Sequence, residues 1–100
     1  MVKEIKEEEF KDVLENNKKV VIDCYATWCG PCKMLSPIID ELSEENSDYS
    51  FYKMDVDNCE EVPREYGIMS IPTLLIFENK KLRDKVVGFK SKEELESIIK

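Results

Sequence analysis

Apolar side chains recur along this chain with two periods, and the switches between them mark its elements. Residues 2–5 (VKEI) read as a short strand, after which Phe10, Val13 and Leu14 recur at helical spacing within residues 7–16. Residues 19–26 (KVVIDCYA) are nearly continuously apolar and β-branched at their start, the pattern of a central strand covered on both faces. Met34, Leu35, Ile38, Ile39 and Leu42 lay one apolar stripe along a helix predicted over residues 32–45, and Pro37 inside it marks a kink. Residues 50–56 make a third strand. Pro63 and Gly67 bracket one short helical turn, with Pro at its start and Gly just past its end. Residues 72–78 and 82–89 read as strands joined by Asn79-Lys80-Lys81, a connection short enough to require an antiparallel hairpin. Ser91 with Glu94 forms a capping box for a last helix carrying Leu95, Ile98 and Ile99.

Strand, helix, strand, helix, strand is the pattern of right-handed parallel crossovers. The predicted fold is therefore α/β, βαβαβ followed by a short helical turn and ββα, a mixed five-stranded sheet with four helices on its two faces. No internal repeat, low-complexity tract or linker interrupts the sequence, so residues 1–100 are read as a single domain.

Composition narrows the chemistry. Hydrophobic residues make up 42% and charged residues 37%, as in a water-soluble globule, and no apolar run nears the roughly 18 residues of a membrane span. The opening MVKEIKEEEF lacks the basic and apolar regions of a secretory signal, so the expected location is cytoplasmic. A formal charge of −7 argues against nucleic acid or an anionic membrane as partner, since either needs a dense basic patch. The chain has no histidine, which leaves general-base work to a carboxylate, a lysine or a thiol. Its four cysteines, without a secretory signal, point to catalysis or metal binding rather than to a disulfide framework.

Cys29 and Cys32 have CxxC spacing, which closes a disulfide at little loop entropy if the backbone brings the two Cα atoms within about 7 Å. Gly30-Pro31 supplies that turn. The motif follows the central strand and precedes the amphipathic helix, so the pair belongs at the helix N-terminus. There, unpaired N–H groups and the helix dipole favour thiolate over thiol and lower the Cys29 pKa. Cys29, nearer the exposed loop, is the expected attacking thiol, and Cys32, one turn into the helix and partly covered, the resolving one. Trp28, in the loop beside the nucleophile, is read as a partly exposed contact surface.

Residues 20–39, VVIDCYATWCGPCKMLSPII, resemble the signature of the thioredoxin family, and the resemblance runs on through YGIMSIPTLLIF (66–77) to VVGF (86–89). It covers essentially the whole chain. WCGPC is its specific part, because related redox families carry other pairs between the cysteines and Gly-Pro goes with the reducing members. The resemblance implies a thioredoxin fold and a monomeric protein disulfide reductase that works through Cys29 and Cys32 with no further cofactor and no metal. It implies a flavin-dependent thioredoxin reductase as electron donor. The implied recipients are disulfide-containing target proteins such as ribonucleotide, peroxide or methionine-sulfoxide reductases. It further implies that Asp23 is buried behind Cys32 with Lys53 beside it, that a cis Ile71-Pro72 peptide faces the dithiol, and that Gly88 shapes the substrate groove.

The reading of Asp23 from its own neighbours agrees. A carboxylate between Ile22 and Cys24 in a buried strand costs several kcal/mol if ionised and unpaired, so its pKa is expected to rise towards neutrality, where it can act as base for Cys32. The alternative is a strand shifted in register that turns Asp23 to solvent. Cys24 replaces a bulky apolar residue of the family and is read as a buried structural thiol, and Tyr25 stands where Trp is frequent. Cys59, at a loop–helix junction, is expected to be partly exposed. Met34 and Met54 are read as core filler, and KEEE (6–9) and SKEELE (91–96) as solvated helix faces. Asn79-Lys80 replaces the family's frequent Asn-Gly, which leaves the hairpin turn type open. Three rival functions remain. An oxidase or isomerase of the same fold is disfavoured by Gly-Pro, and a non-catalytic binding module by the intact dithiol. A zinc site on Cys24, Cys29, Cys32 and Cys59 lacks a second close ligand pair.

Overall fold

The computed structural model describes residues 2–100. Strand β1 (Lys3–Glu4) is followed by a 3-10 turn (Glu7–Glu9) and helix α1 (Phe10–Asn16), then β2 (Lys19–Tyr25), α2 (Gly30–Glu45) and β3 (Ser50–Asp55). After a second 3-10 turn (Val56–Asn58) come α3 (Glu61–Glu65), β4 (Thr73–Glu78), β5 (Lys81–Val87) and α4 (Lys92–Ile99). The strands form one sheet in the order β1-β3-β2-β4-β5. β1, β3 and β2 run parallel, and β4 and β5 run antiparallel to their neighbours. The expected mixed five-stranded sheet with four helices is thus borne out.

Each face of the sheet carries its own core, because side chains alternate along the strands. Val20, Ile22 and Cys24 of β2 join Met54, Leu75 and Phe77 against Phe10 and Val13 of α1 and Val62 of α3. Val21 joins Phe51, Leu74, Ile76 and Val86 on the opposite face, against Leu35, Ile39 and Leu42 of α2 and Leu95 and Ile99 of α4. β2 is central, paired along its length with β3 on one side and β4 on the other, and its C-terminal end leads into the cysteine motif.

Several local expectations needed correction. Pro63 lies inside α3, which begins two residues earlier at Glu61. The proline is tolerated there because the first turn of a helix has no intrahelical acceptor for its N–H groups. The orphan donors at this end are met from far away: the Glu7 carboxylate accepts from the backbone N–H of Glu60 (3.0 Å) and of Val62 (2.7 Å). Glu7 is therefore a cap for another helix rather than part of a merely solvated face, and these bonds hold its pKa below the ordinary value. The hairpin loop is two residues, not three. Asn79 (φ 53°) and Lys80 (φ 70°) are both left-handed, as in a type I′ turn, and Lys81 already belongs to β5. β5 ends at Val87, with a register irregularity opposite Ile76 and Phe77. The capping box of α4 forms as expected, Ser91 Oγ accepting from Glu94 N–H at 3.2 Å and Glu94 Oε1 from Ser91 N–H at 3.1 Å.

Met34 is 62% exposed. α2 buries Cys32, Leu35, Ile39 and Leu42, and Met34 falls to the side of that stripe. Cys59, expected to be partly exposed, is buried in the core beneath α1 and α3, whereas Met54 is fully buried as expected. Among the described residues no helix is long and apolar enough to cross a membrane.

Candidate active site

The chain leaves the end of β2 through Ala26-Thr27-Trp28 and enters α2 at the cysteine motif. Cys29 is the N-cap of α2: its backbone is extended, and its Sγ accepts from the Cys32 N–H at 3.2 Å. Pro31 stands in the first turn, where its missing N–H costs no hydrogen bond. A Cβ at Gly30 would meet nothing within 4 Å, so Gly30 is not required there by crowding. The turn brings the two Cα atoms to 5.2 Å, and Cys29 and Cys32 are joined as a disulfide. The exposure difference expected between the two is not present in this oxidised form: Cys29 is 5% and Cys32 4% exposed. Both sulfurs sit in a small cluster with Ala26, flanked by Tyr25, Val56 and Ile71.

Two segments from the far half of the chain close over this pair. The Ile71-Pro72 peptide is cis, and the Ile71 carbonyl oxygen lies 3.9 Å from Cys29 Sγ. Gly88, at φ +89°, donates its N–H to the Pro72 carbonyl at 2.8 Å, fixing the end of β5 against the proline. That conformation is one a side chain rarely adopts, which accounts for glycine at this position. Trp28 is 69% exposed, and its Nε1 donates to Asp57 Oδ2 at 2.8 Å, which holds the ring beside the motif. Met69, two residues before Ile71, is 97% exposed. The sequence reading gave Met69 no role, and nothing in its local pattern sets it apart from a core methionine.

Behind the disulfide, Asp23 is 5% exposed on the sheet face that α2 covers, and its Oδ1 is buried without a hydrogen-bond donor. The register-shifted alternative is thereby excluded. Loss of hydration raises its pKa from 3.8 to about 7; Lys53 opposes that rise, while Asp40 and Glu4 add to it. Lys53 is the Cα partner of Asp23 across β3. A cavity of about 250 Å³ joins Asp23, Cys32 and Lys53 and is lined as well by Tyr25, Lys33 and Ser36. A volume of that size is large enough for water, and the Asp23 carboxyl and Cys32 both border it.

The other two thiols are kept out of this chemistry. Cys24 points into the opposite core and burial pushes its pKa to about 12, and Cys59, in the same core, is pushed to about 11. Both remain protonated thiols at neutral pH. Among the described residues no cluster of three or more His, Cys, Asp or Glu is placed to hold a metal ion. What the arrangement does offer is a cysteine pair at a helix N-terminus, a buried carboxyl beside its second member, and an apolar rim from Trp28 to Ile71.

The family model described as Thioredoxin matches residues 1–100. A protein of Mycoplasmoides gallisepticum named Thioredoxin is 48% identical over 92 residues, covering 92% of each chain. Over 87 residues, 86% of the chain is 44% identical to a segment making up 19% of the "Bifunctional thioredoxin reductase/thioredoxin" of Mycobacterium leprae. The solved structure of Plasmodium falciparum thioredoxin superposes with a TM-score of 0.91 at 33% identity, covering 98% of this chain and 96% of that one.

Proposed function

This chain belongs to the thioredoxin family, and from that premise we propose which residue does what in its reaction. Protein disulfide reduction by thiol–disulfide exchange is the family's activity and that of this chain. In the reduced protein, the Cys29 thiolate attacks one sulfur of a target disulfide, forming a mixed disulfide and expelling the other target sulfur as a thiolate that takes up a proton. Cys32 then gives its proton to Asp23 and attacks Cys29 Sγ. The Cys29–Cys32 disulfide forms, the second target sulfur leaves, and two electrons have passed to the target.

The observation that carries this assignment is the position of Cys29 as N-cap, with a backbone N–H already directed at its sulfur. That donor and the helix dipole stabilise a thiolate at Cys29. Asp23 suits the base role because its burial brings it to about 7, within reach of both protonation states at neutral pH. Lys53 tunes that carboxyl, and Trp28, Ile71, Pro72 and Gly88 form the surface on which an extended target segment lies. The resemblance to the bifunctional Mycobacterium leprae protein supports a thioredoxin reductase as electron donor. A monomer working in the cytoplasm on disulfide-containing proteins completes the reading.

Trapping tests the order of events. Cys32→Ser stalls the reaction at the mixed disulfide and retains targets covalently on Cys29, so capture from an extract and elution with dithiothreitol yields many proteins. Cys29→Ser retains few. Equal trapping by the two variants would overturn the roles.

A further inference from the structure

Lys53 stands between two carboxylates. On β3 it is the Cα partner of Glu4 on one side and of Asp23 on the other, so the three side chains form a row on one face of the sheet. One ammonium thus has two acidic neighbours to choose from, and among the described residues it closes an ion pair with neither. Glu4 is otherwise engaged: the Tyr25 hydroxyl donates to its Oε1 at 2.6 Å. Tyr25 is the next residue after Asp23 on the same face of β2, and Lys53 Nζ lies 5.9 Å from the centre of its ring. The tyrosine also forms wall on two sides. It lines the cavity that joins Asp23 to Cys32, and it lines a second of about 450 Å³ that Glu4, Lys6 and Asp55 border.

We propose that Tyr25 and Glu4 are positioning residues for the resolving half of the reaction. The phenol keeps the Glu4 carboxylate from capturing Lys53, so the ammonium, paired with neither acid, keeps its field on Asp23 and sets the pH at which Asp23 takes the Cys32 proton. This rests on the reading of Asp23 as base. The remaining charges that face Asp23 are Asp40 and Lys33, both from α2, and β4 brings only Leu74 against it.

Tyr25→Phe keeps the ring and deletes the hydroxyl. Glu4 is then free to take Lys53, and Asp23 holds its proton to higher pH. Two readouts follow it: the carbon-13 titration of the Asp23 carboxyl in the oxidised protein, and the acid limb of the pH profile for insulin-disulfide reduction. Both are expected to move up by about half a pH unit. Adding Glu4→Gln to Tyr25→Phe removes the competing carboxylate and returns both to the original pH or below it. A loss of packing at residue 25 would leave the double variant like the single one, and that result overturns the proposal. So does an Asp23 titration that Tyr25→Phe leaves in place. If the titration moves and the rate profile does not, the clamp on Asp23 stands and the base role of Asp23 falls.

Discussion

Replacing Asp23 by asparagine converts a buried acid into a neutral group of the same shape, and its effect on stability depends on pH in a calculable way. In the unfolded chain the carboxyl ionises near 3.8, but burial holds the proton on the folded protein to about 7. Between those values the unfolded state binds fewer protons than the folded one, so stability falls as pH rises and levels off above about 7. The interval corresponds to about 4 kcal/mol at about 1.4 kcal/mol per pH unit. Asp23→Asn removes this dependence. At pH 4 the variant and the parent differ only by the hydrogen bonding of a buried amide against a buried carboxylic acid, a matter of about 1–3 kcal/mol in either direction. By pH 8 the balance shifts in favour of the variant by up to about 4 kcal/mol relative to pH 4. Urea unfolding of the disulfide form, followed by far-ultraviolet circular dichroism at the two pH values, measures that shift without interference from thiol titration. The same variant slows turnover at neutral pH and flattens its profile between pH 6 and 9. A stability difference equal at pH 4 and pH 8 would refute the buried, proton-retaining state. An unchanged rate profile would refute the role of Asp23 as base.

Cys24→Ser and Cys59→Ser retain disulfide reductase activity in an insulin assay, whereas Cys29→Ser abolishes it; a folded Cys59→Ser variant without turnover would show the redox pair to be misassigned. Cys24→Ser places a hydroxyl in a fully buried apolar site and costs about 1–3 kcal/mol in urea unfolding, so an unchanged midpoint would contradict its core position. Gly88→Ala finds open space for its Cβ, yet φ +89° makes it lose about 1–2 kcal/mol in the same assay, and equal stability would show that the backbone there relaxes freely.

The sequence made visible whatever is decided by near neighbours. The run 20–24 declared a buried strand, and Ser91 with Glu94 marked a helix start whose two hydrogen bonds form as read. CGPC between a strand and an amphipathic helix located the cysteine pair at a helix N-terminus without any tertiary information. What escaped is decided at long range. Glu7 reads as one more acid in a charged run, because the N–H groups it serves lie 53 and 55 residues away. Cys59 looks exposed in its polar segment, and only the packing of α1 and α3 covers it. Met34 fits an apolar stripe by spacing, but the rotation of α2 against the sheet decides which edge of a stripe meets water. The pairing of Tyr25 with Glu4 depends on which strands lie side by side, and the order β1-β3-β2 is not written in any one segment.

The closed ring between Cys29 and Cys32 spans four residues, and its size governs how much of the folded state's stability rides on that bond. On a chain-entropy basis, so small a ring stabilises the folded state by about 2 kcal/mol, against nearly 5 kcal/mol for a ring of about a hundred residues. Both hydrophobic cores are assembled from β2 and its flanking helices without the help of that ring. Discharging the protein therefore leaves its scaffold intact, and recharging it demands no refolding. A bond meant to be broken at every turnover has been put where the architecture least depends on it.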